Sequence, residues 1–207
     1  MIRNVYIVDD DDLVCAATTR LLALDWALAV RSFASGDLFL AEAPRLDAGV
    51  VLLDFRMPGS NGVDVLNAVR TMHTNKFAII VATGEGDTKL AVQVMKLGAI
   101  DFIEKPYEVD ALLGVVNAGF IHLAQGQDAA ESADSARAKI ASLTPRERDV
   151  LEGLIEGQAN KVIGHNLDIS PRTVEVYRSN LMGKLDVRSL PAALRVAFTA
   201  GVIPLAF

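Results

Sequence analysis

The first 123 residues alternate five short apolar runs with five longer amphipathic segments, and this alternation restricts the fold more than any other feature. The apolar runs predict strands, which we place at 5–8, 28–33, 50–53, 78–81 and 100–103. The segments between them repeat apolar residues at helical spacing and predict helices at 13–24, 36–43, 63–72, 88–97 and 108–123. Strands that alternate with helices form parallel sheets covered on both faces. The sequence therefore predicts an α/β domain with a five-stranded parallel sheet.

The composition changes after residue 123. Residues 124–138 are mostly Ala, Ser, Gln and Asp, which predicts a linker that is either flexible or a weak helix extending the preceding one. We set the linker at 124–141, between a first domain at 1–123 and a second domain at 142–207.

The second domain is predicted to be small and all-helical. Thr144, Pro145 and Glu147 form a capping box with proline at the first helical position, and Ser170 with Pro171 repeats the cap-and-proline signal. Apolar spacing places four helices near 145–156, 160–166, 171–184 and 190–200. The second and third of these, joined by a short interval, form a helix-turn-helix.

Charge and apolar content narrow the classes of protein. The net charge of −6 divides into +2 from Ala138 onward (nine Lys/Arg, seven Asp/Glu) and −8 in the remainder (eleven against nineteen). No apolar run approaches the roughly 20 residues that span a bilayer, and the N-terminus lacks a secretory pattern, so we expect a cytoplasmic protein. The single Cys15 excludes an internal disulfide, and the three histidines lack metal-ligand spacing.

Acidic side chains follow two of the predicted strands. Asp9 and Asp10 come after the first strand and Asp54 after the third, while Thr83 and Lys105 end the fourth and fifth. Ligands of open parallel sheets bind at the carboxyl ends of the strands, and a cluster of carboxylates there suits Mg²⁺. A carboxylate can also attack phosphorus, with cations neutralising the transferred oxygens. An isolated aspartate at a strand end is more often a helix cap, so the prediction rests on the conjunction.

Four motifs at these strand ends resemble those of receiver domains, over residues 1–123. The resemblance implies a flavodoxin-like doubly wound fold, with Asp54 as phosphoacceptor and a sensor histidine kinase as donor. It implies a metal shell for Mg²⁺ of Asp9, Asp10, Asp54 and the backbone carbonyl of Arg56. It also implies that Thr83 and Lys105 contact the phosphoryl group and that Phe102 is an aromatic switch. The motifs are Ile7-Val8-Asp9-Asp10, Leu53-Asp54-Phe55-Arg56-Met57-Pro58, Ala82-Thr83-Gly84 and Phe102-Ile103-Glu104-Lys105-Pro106.

Other acidic and basic residues near these motifs are interpreted separately from the site. Asp11 and Asp12 cap or flank the first helix rather than bind metal. Arg56 and Glu85 lie two residues after Asp54 and Thr83, where the family resemblance implies an influence on the lifetime of the phosphoryl group; a surface ion pair is the alternative.

The third helix of the second domain is the candidate DNA-reading element. Val174, Leu181 and Leu185 follow helical spacing and are expected to face the core. Basic side chains on the outer face would contact phosphates, Glu175 a cytosine amino group and Val176 a thymine methyl. A polar helix face is usually only solvated, which is the alternative. The candidate DNA contacts are Arg172, Thr173, Glu175, Val176, Arg178, Ser179 and Lys184.

The stretch from Leu143 to Leu185 resembles the LuxR-type four-helix domain, over about 142–201, and the whole chain resembles the FixJ-like branch of two-component response regulators. Gly164 departs from the pattern, because a better helix former is usual at that position, and the glycine costs about 1 kcal/mol of helix stability. Tyr177 stands where histidine is frequent.

The resemblance implies a transcriptional regulator and not a dedicated enzyme. Phosphorylation would expose a face on 88–97 and 106–123, giving a homodimer whose two domains bind double-stranded DNA. Two other classes stay open: a metal-dependent phosphatase with an aspartyl intermediate, and a DNA-binding module that works without phosphorylation.

Overall fold

A computed structural model of the protein describes residues 3–72, 76–84, 88–125 and 129–202. The chain forms two compact units. The first comprises Met1–Gly86 and Leu97–Gln127, and the second comprises Asp87–Lys96 and Asp128–Phe207. In the described residues no helix is both long and apolar enough to cross a membrane.

The first unit is built on a five-stranded sheet, as predicted. All neighbouring strands are parallel, in the order β2-β1-β3-β4-β5, which is the flavodoxin-like doubly wound order. Every residue of the third strand is buried, because helices cover both faces of the sheet. The strands are β1 (Arg3–Val8), β2 (Leu28–Phe33), β3 (Gly49–Asp54), β4 (Phe77–Thr83) and β5 (Asp101–Glu104).

The helices that alternate with the strands lie within two residues of their predicted ends. Asp11 caps the first helix by accepting hydrogen bonds from the backbone N–H groups of Leu13 and Val14, as expected. The second helix ends earlier than predicted, because a 3₁₀ turn containing Pro44 follows it. The helices are α1 (Asp12–Leu22), α2 (Gly36–Glu42), α3 (Gly62–Thr71), α4 (Thr88–Lys96) and α5 (Val109–Gln125), and α4 belongs to the second unit.

The core of the first unit fixes the strand ends. On one face of the sheet, apolar residues of β1, β3 and β4 pack with Leu22 of α1 and with Leu112 and Val116 of α5. On the other face, the rings of Tyr6 and Phe39 lie 6.5 Å apart in a cluster of four aromatic side chains. A sheet that is close-packed on both faces has low compressibility, so the ends of its strands hold side chains at the edge in defined positions.

The described residues of the second unit form five further helices. The capping box of Thr144 and Glu147 and the Ser170 cap form as predicted. Residues 129–141, inside the predicted linker, are helical and pack against the last two helices of the chain, with Ala136 buried; residues 126–128 of that linker lie outside the described residues. The helices are α6 (Ala129–Ala141), α7 (Pro145–Ile155), α8 (Asn160–Leu167), α9 (Pro171–Leu185) and α10 (Leu190–Thr199).

Close packing explains why a glycine occupies position 164 in α8. A Cβ atom there would lie 2.7 Å from the carbonyl oxygen of Ile169, in the turn between α8 and α9. The backbone N–H of Ile169 donates to the Gly164 carbonyl at 2.9 Å, so the two backbones are in direct contact. The glycine therefore weakens the helix but permits the tight turn.

Candidate metal centre and nucleic-acid interface

Three carboxylates meet at the carboxyl edge of the sheet. Asp9 and Asp10 follow β1, and Asp54 ends β3, which lies beside β1. One oxygen from each lies within 4.8 Å of the others. Asp9 is 4% exposed and Asp54 8%, while Asp10 is exposed. The adjacency expected from chain position alone is therefore present.

Lys105 bridges two of these acids. Its Nζ lies 2.5 Å from Oδ2 of Asp9 and 2.6 Å from Oδ1 of Asp54. Its backbone N–H donates to the carbonyl of Thr83 at 2.7 Å, and the Lys105–Pro106 peptide bond is cis. The ammonium group thus lies at the carboxyl edge of the sheet, held by both its backbone and its side chain.

Burial and pairing set the charges of this cluster. Burial raises the pKa of Asp54 above its usual range, and the hydrogen bond from Lys105 offsets that rise only in part. Burial would lower the pKa of Lys105, but its hydrogen bonds to Asp54 and Asp9 outweigh that effect and raise it. Lys105 is therefore protonated, while burial disfavours the charged form of Asp54.

The loop after β3 is positioned by its backbone. Oδ2 of Asp54 accepts from the backbone N–H of Arg56 at 2.9 Å, and the N–H of Gly62 donates to the Phe55 carbonyl at 3.1 Å. A Cβ on Gly62 would lie 3.0 Å from Cα of Phe55 and 3.1 Å from the Asp54 carbonyl, so α3 begins close against the acid. This loop carries the Arg56 carbonyl assigned to the metal shell by resemblance.

The two proposed switch residues lie on neighbouring strands. Thr83, buried at the end of β4, is one residue beyond Ala82, which pairs with Asp54 in the sheet. Phe102 is half-buried on β5 and pairs with Val81. Both therefore lie in the part of the sheet next to the acids; Glu85 lies outside the described residues.

The donor set of this cluster fits Mg²⁺. Three carboxylates supply only oxygen, two of them are withdrawn from solvent, and their ligand atoms lie close enough to share one ion. A cation would also offset the desolvation penalty that burial imposes on the charged form of Asp54.

The DNA candidates all lie on α9, and its predicted inner positions Val174, Leu181 and Leu185 are buried. Val176 is 55% exposed, a large value for an apolar side chain in a helix interior. The exposed candidates are Arg172, Glu175, Val176, Ser179 and Lys184, and the half-buried ones are Thr173 and Arg178.

Two of these candidates have partners inside the second unit. Nη1 of Arg178 donates to Oδ1 of Asn160 on α8 at 2.6 Å. Nζ of Lys184 lies 2.7 Å from Oε2 of Glu147, a buried residue of α7 that also accepts from the backbone N–H of Thr144. The hydrogen bond from Lys184 is the main reason why the pKa of Glu147 is lowered. These two cations fasten α9 to the other helices, a role that the sequence pattern did not indicate.

Comparison with known proteins gives one family for each half. Residues 5–117 match the model of the response regulator receiver domain, and residues 141–197 match that of bacterial regulatory proteins of the luxR family. The transcriptional regulatory protein FixJ of Bradyrhizobium diazoefficiens is 41% identical over 97% of both chains. FixJ of Azorhizobium caulinodans is 43% identical over 97% of this chain and 94% of its own. A crystal structure of full-length FixJ from B. japonicum covers 97% of this chain and 98% of that one, at 41% identity and a TM-score of 0.56.

Proposed function

Because the chain belongs to the FixJ-like two-component response regulators, and is thus a phosphorylation-dependent transcriptional regulator rather than an enzyme, we propose that Asp54 is its phosphoacceptor. The observation that carries the proposal is the position of Lys105, whose ammonium lies within 2.6 Å of carboxylate oxygens of both Asp54 and Asp9. A cation at that point would neutralise the oxygens of a phosphoryl group as it arrives.

The reaction is a transfer between two proteins. A carboxylate oxygen of Asp54 forms a bond to phosphorus, while the bond between phosphorus and the histidine nitrogen of a sensor kinase breaks; the nitrogen keeps the electron pair. Lys105 stabilises the added negative charge, and the Thr83 hydroxyl is the proposed donor to a phosphoryl oxygen. Asp9, Asp10, Asp54 and the Arg56 carbonyl would hold Mg²⁺, which supplies further charge neutralisation when bound.

Mass spectrometry of the intact chain tests the acceptor. Incubation with acetyl phosphate and Mg²⁺ is expected to add about 80 Da, the mass of one PO₃H group. The Asp54→Asn variant is expected to gain nothing. Asp47→Asn is the matched control, because Asp47 is exposed and precedes the other end of β3. A modified Asp54→Asn variant, or an unmodified wild type, would contradict the proposal.

We also propose that phosphorylation drives homodimerisation of the chain, so that two DNA-binding domains reach adjacent half-sites. Size-exclusion chromatography with light scattering, with and without acetyl phosphate and Mg²⁺, tests this directly. A monomer under both conditions rejects the dimer but leaves the phosphoacceptor in place. A DNA-binding regulator works where the chromosome lies, so we propose a cytoplasmic location.

For DNA binding we propose a division of the α9 side chains into phosphate contacts and base contacts. Arg172, Ser179 and Thr173 contact phosphates, while Glu175 and Val176 read bases. Exposure supports this choice, because neither Glu175 nor Val176 is buried. Arg178 and Lys184 are proposed to orient the helix through their internal partners, with any phosphate contact secondary.

Duplexes selected from a random library by the phosphorylated protein provide the probe for this test. Arg172→Ala is expected to weaken binding uniformly and to reduce the slope of log affinity against log salt by about one unit. Val176→Ala is expected to relax preference at one base position and to leave that slope unchanged. The reverse pattern would contradict the division. Full DNA affinity in Asp54→Asn, equal to that of the phosphorylated wild type, would instead favour a module that works without phosphorylation.

A further inference from the structure

One buried polar contact near the acid cluster has no part in the mechanism above. The hydroxyl of Tyr107, two residues beyond Lys105, forms a hydrogen bond with the hydroxyl of Thr18 on α1. Thr18 is 1% exposed and Tyr107 is half-buried. The two residues are 89 positions apart, so the bond joins two separate segments of the first unit.

The two segments that this bond joins each carry part of the site. α1 begins directly after the acids, and Oδ1 of Asp9 accepts from the backbone N–H of its cap, Asp11, at 3.0 Å. One turn before Thr18, the thiol of Cys15 reaches the Asp9 carbonyl at 3.5 Å. The other segment, between β5 and α5, carries Lys105. The Tyr107–Thr18 bond therefore fixes the lysine-bearing loop against the helix that supports the acids.

The chemistry of the hydroxyl pair favours a positioning role over mere packing. A phenylalanine would fill the same space, so the phenol oxygen adds only a directional bond. Burial raises the pKa of Tyr107, although the hydrogen bond with Thr18 and the charge of Lys105 oppose the rise, so the hydroxyl keeps its proton at neutral pH. A hydrogen bond between two neutral hydroxyls constrains the loop without adding charge to the site.

We propose that Tyr107 and Thr18 form a positioning pair that sets where the Lys105 ammonium lies relative to Asp54, and thereby controls the rate of phosphoryl transfer. This inference rests on the proposed function, because it concerns the same site. Neither residue touches the reacting atoms. Their effect reaches the reaction through the Lys105–Pro106–Tyr107 loop, which has to hold the ammonium in place for both Asp9 and Asp54.

The test compares three single variants of the full chain, and the double variant Tyr107→Phe with Thr18→Val, with acetyl phosphate as donor. Tyr107→Phe and Thr18→Val each remove the bond with little change in shape. Tyr6→Phe is the matched control, because its hydroxyl also donates a hydrogen bond, at 3.0 Å to the Asp47 carbonyl, but away from the acids. Intact-mass spectrometry gives the maximal rate of phosphorylation and the half-saturating donor concentration. Calorimetric titration gives the Mg²⁺ dissociation constant, and thermal melting confirms that each variant is folded.

Tyr107→Phe and Thr18→Val are expected to lower the maximal rate about tenfold, since misplacement of a positioned group by 1 Å can cost about a hundredfold. The Mg²⁺ dissociation constant is expected to stay within about twofold, because the acids keep their own supports. The double variant is expected to match either single one, as for two ends of one bond. Tyr6→Phe is expected to melt earlier while keeping the wild-type rate.

Three results would contradict the proposed positioning role of Tyr107 and Thr18. One is a wild-type rate in Tyr107→Phe; a second is an equal rate loss in Tyr6→Phe, which indicates general destabilisation; a third is additive losses in the double variant. Absence of any phosphorylation in the wild type would instead reject the proposed function, so the two failures are distinguishable.

Discussion

Replacement of Lys105 by methionine is the sharpest test of the charge balance at the sheet edge. The change keeps much of the side-chain volume and removes the ammonium that bridges Asp9 and Asp54 at 2.5 and 2.6 Å. The two carboxylates, which are buried, then lie close together without the ammonium as counter-charge. We expect this variant to be destabilised when Mg²⁺ is absent.

The magnitude follows from the separation of the acids. One ligand oxygen of each lies within 4.8 Å of the other, and two unit charges at that distance repel by about 3.5 kcal/mol at an effective dielectric constant of about 20. Loss of one partner from a buried ion pair costs about 3–5 kcal/mol, which agrees. Asp54→Asn added to Lys105→Met removes one of the two charges, so the double variant is expected to recover more than half of the loss.

The pH dependence of the Lys105→Met variant has a definite sign. Burial already raises the pKa of Asp54, and loss of Lys105 raises it further, so the folded state binds a proton more tightly than the unfolded state. Stability from such a group is present at low pH and is lost as the pH rises through the folded pKa. The difference between variant and wild type is therefore expected to grow from pH 5 to pH 8.

Urea denaturation, monitored by hydrogen exchange in peptides from β1 and β3, measures this change in the free energy of unfolding. Those two strands belong to the first unit and therefore report on it alone. The experiment is run in chelator and repeated with Mg²⁺, which is expected to restore part of the lost stability. A loss below about 1 kcal/mol at pH 8 in chelator, or a loss that increases towards acid pH, would refute the charge argument.

Three further predictions concern the second unit. Lys184→Met removes the partner of Glu147 and is expected to lower the free energy of unfolding by about 1–2 kcal/mol, measured by thermal melting at pH 7. Because the pKa of Glu147 is lowered from 4.5, the stability that the pair contributes is lost as the pH falls below that value. An unchanged melting temperature at pH 7 would contradict this contribution. Gly164→Ala is expected to destabilise by more than about 1 kcal/mol, despite the higher helix propensity of alanine, because its Cβ meets the Ile169 carbonyl at 2.7 Å; a gain in stability by urea denaturation would contradict this. Asp186→Gly is expected to stabilise the protein by about 1 kcal/mol, because Asp186 has a φ of 57°, which favours glycine, and is an acid at the negative end of α9. Asp186→Ala is the control and is expected not to stabilise it.

Local sequence signals were sufficient for the elements and their capping. The Thr144–Glu147 capping box and the strands were predicted because each depends on residues a few positions apart or on a periodic pattern. Nearness of Asp9 to Asp54 was also predictable, since the carboxyl ends of parallel strands meet at one edge.

The sequence by itself determined which side chains stand at the strand ends and which face of α9 is apolar, because backbone periodicity dictates both. Only the tertiary structure decided which partner each polar group takes. Lys184, whose position on the helix predicts a phosphate contact, also pairs with Glu147, and Tyr107 meets Thr18 across 89 residues. Such pairings depend on how elements pack in three dimensions, and chain spacing carries no record of the distance between two helices.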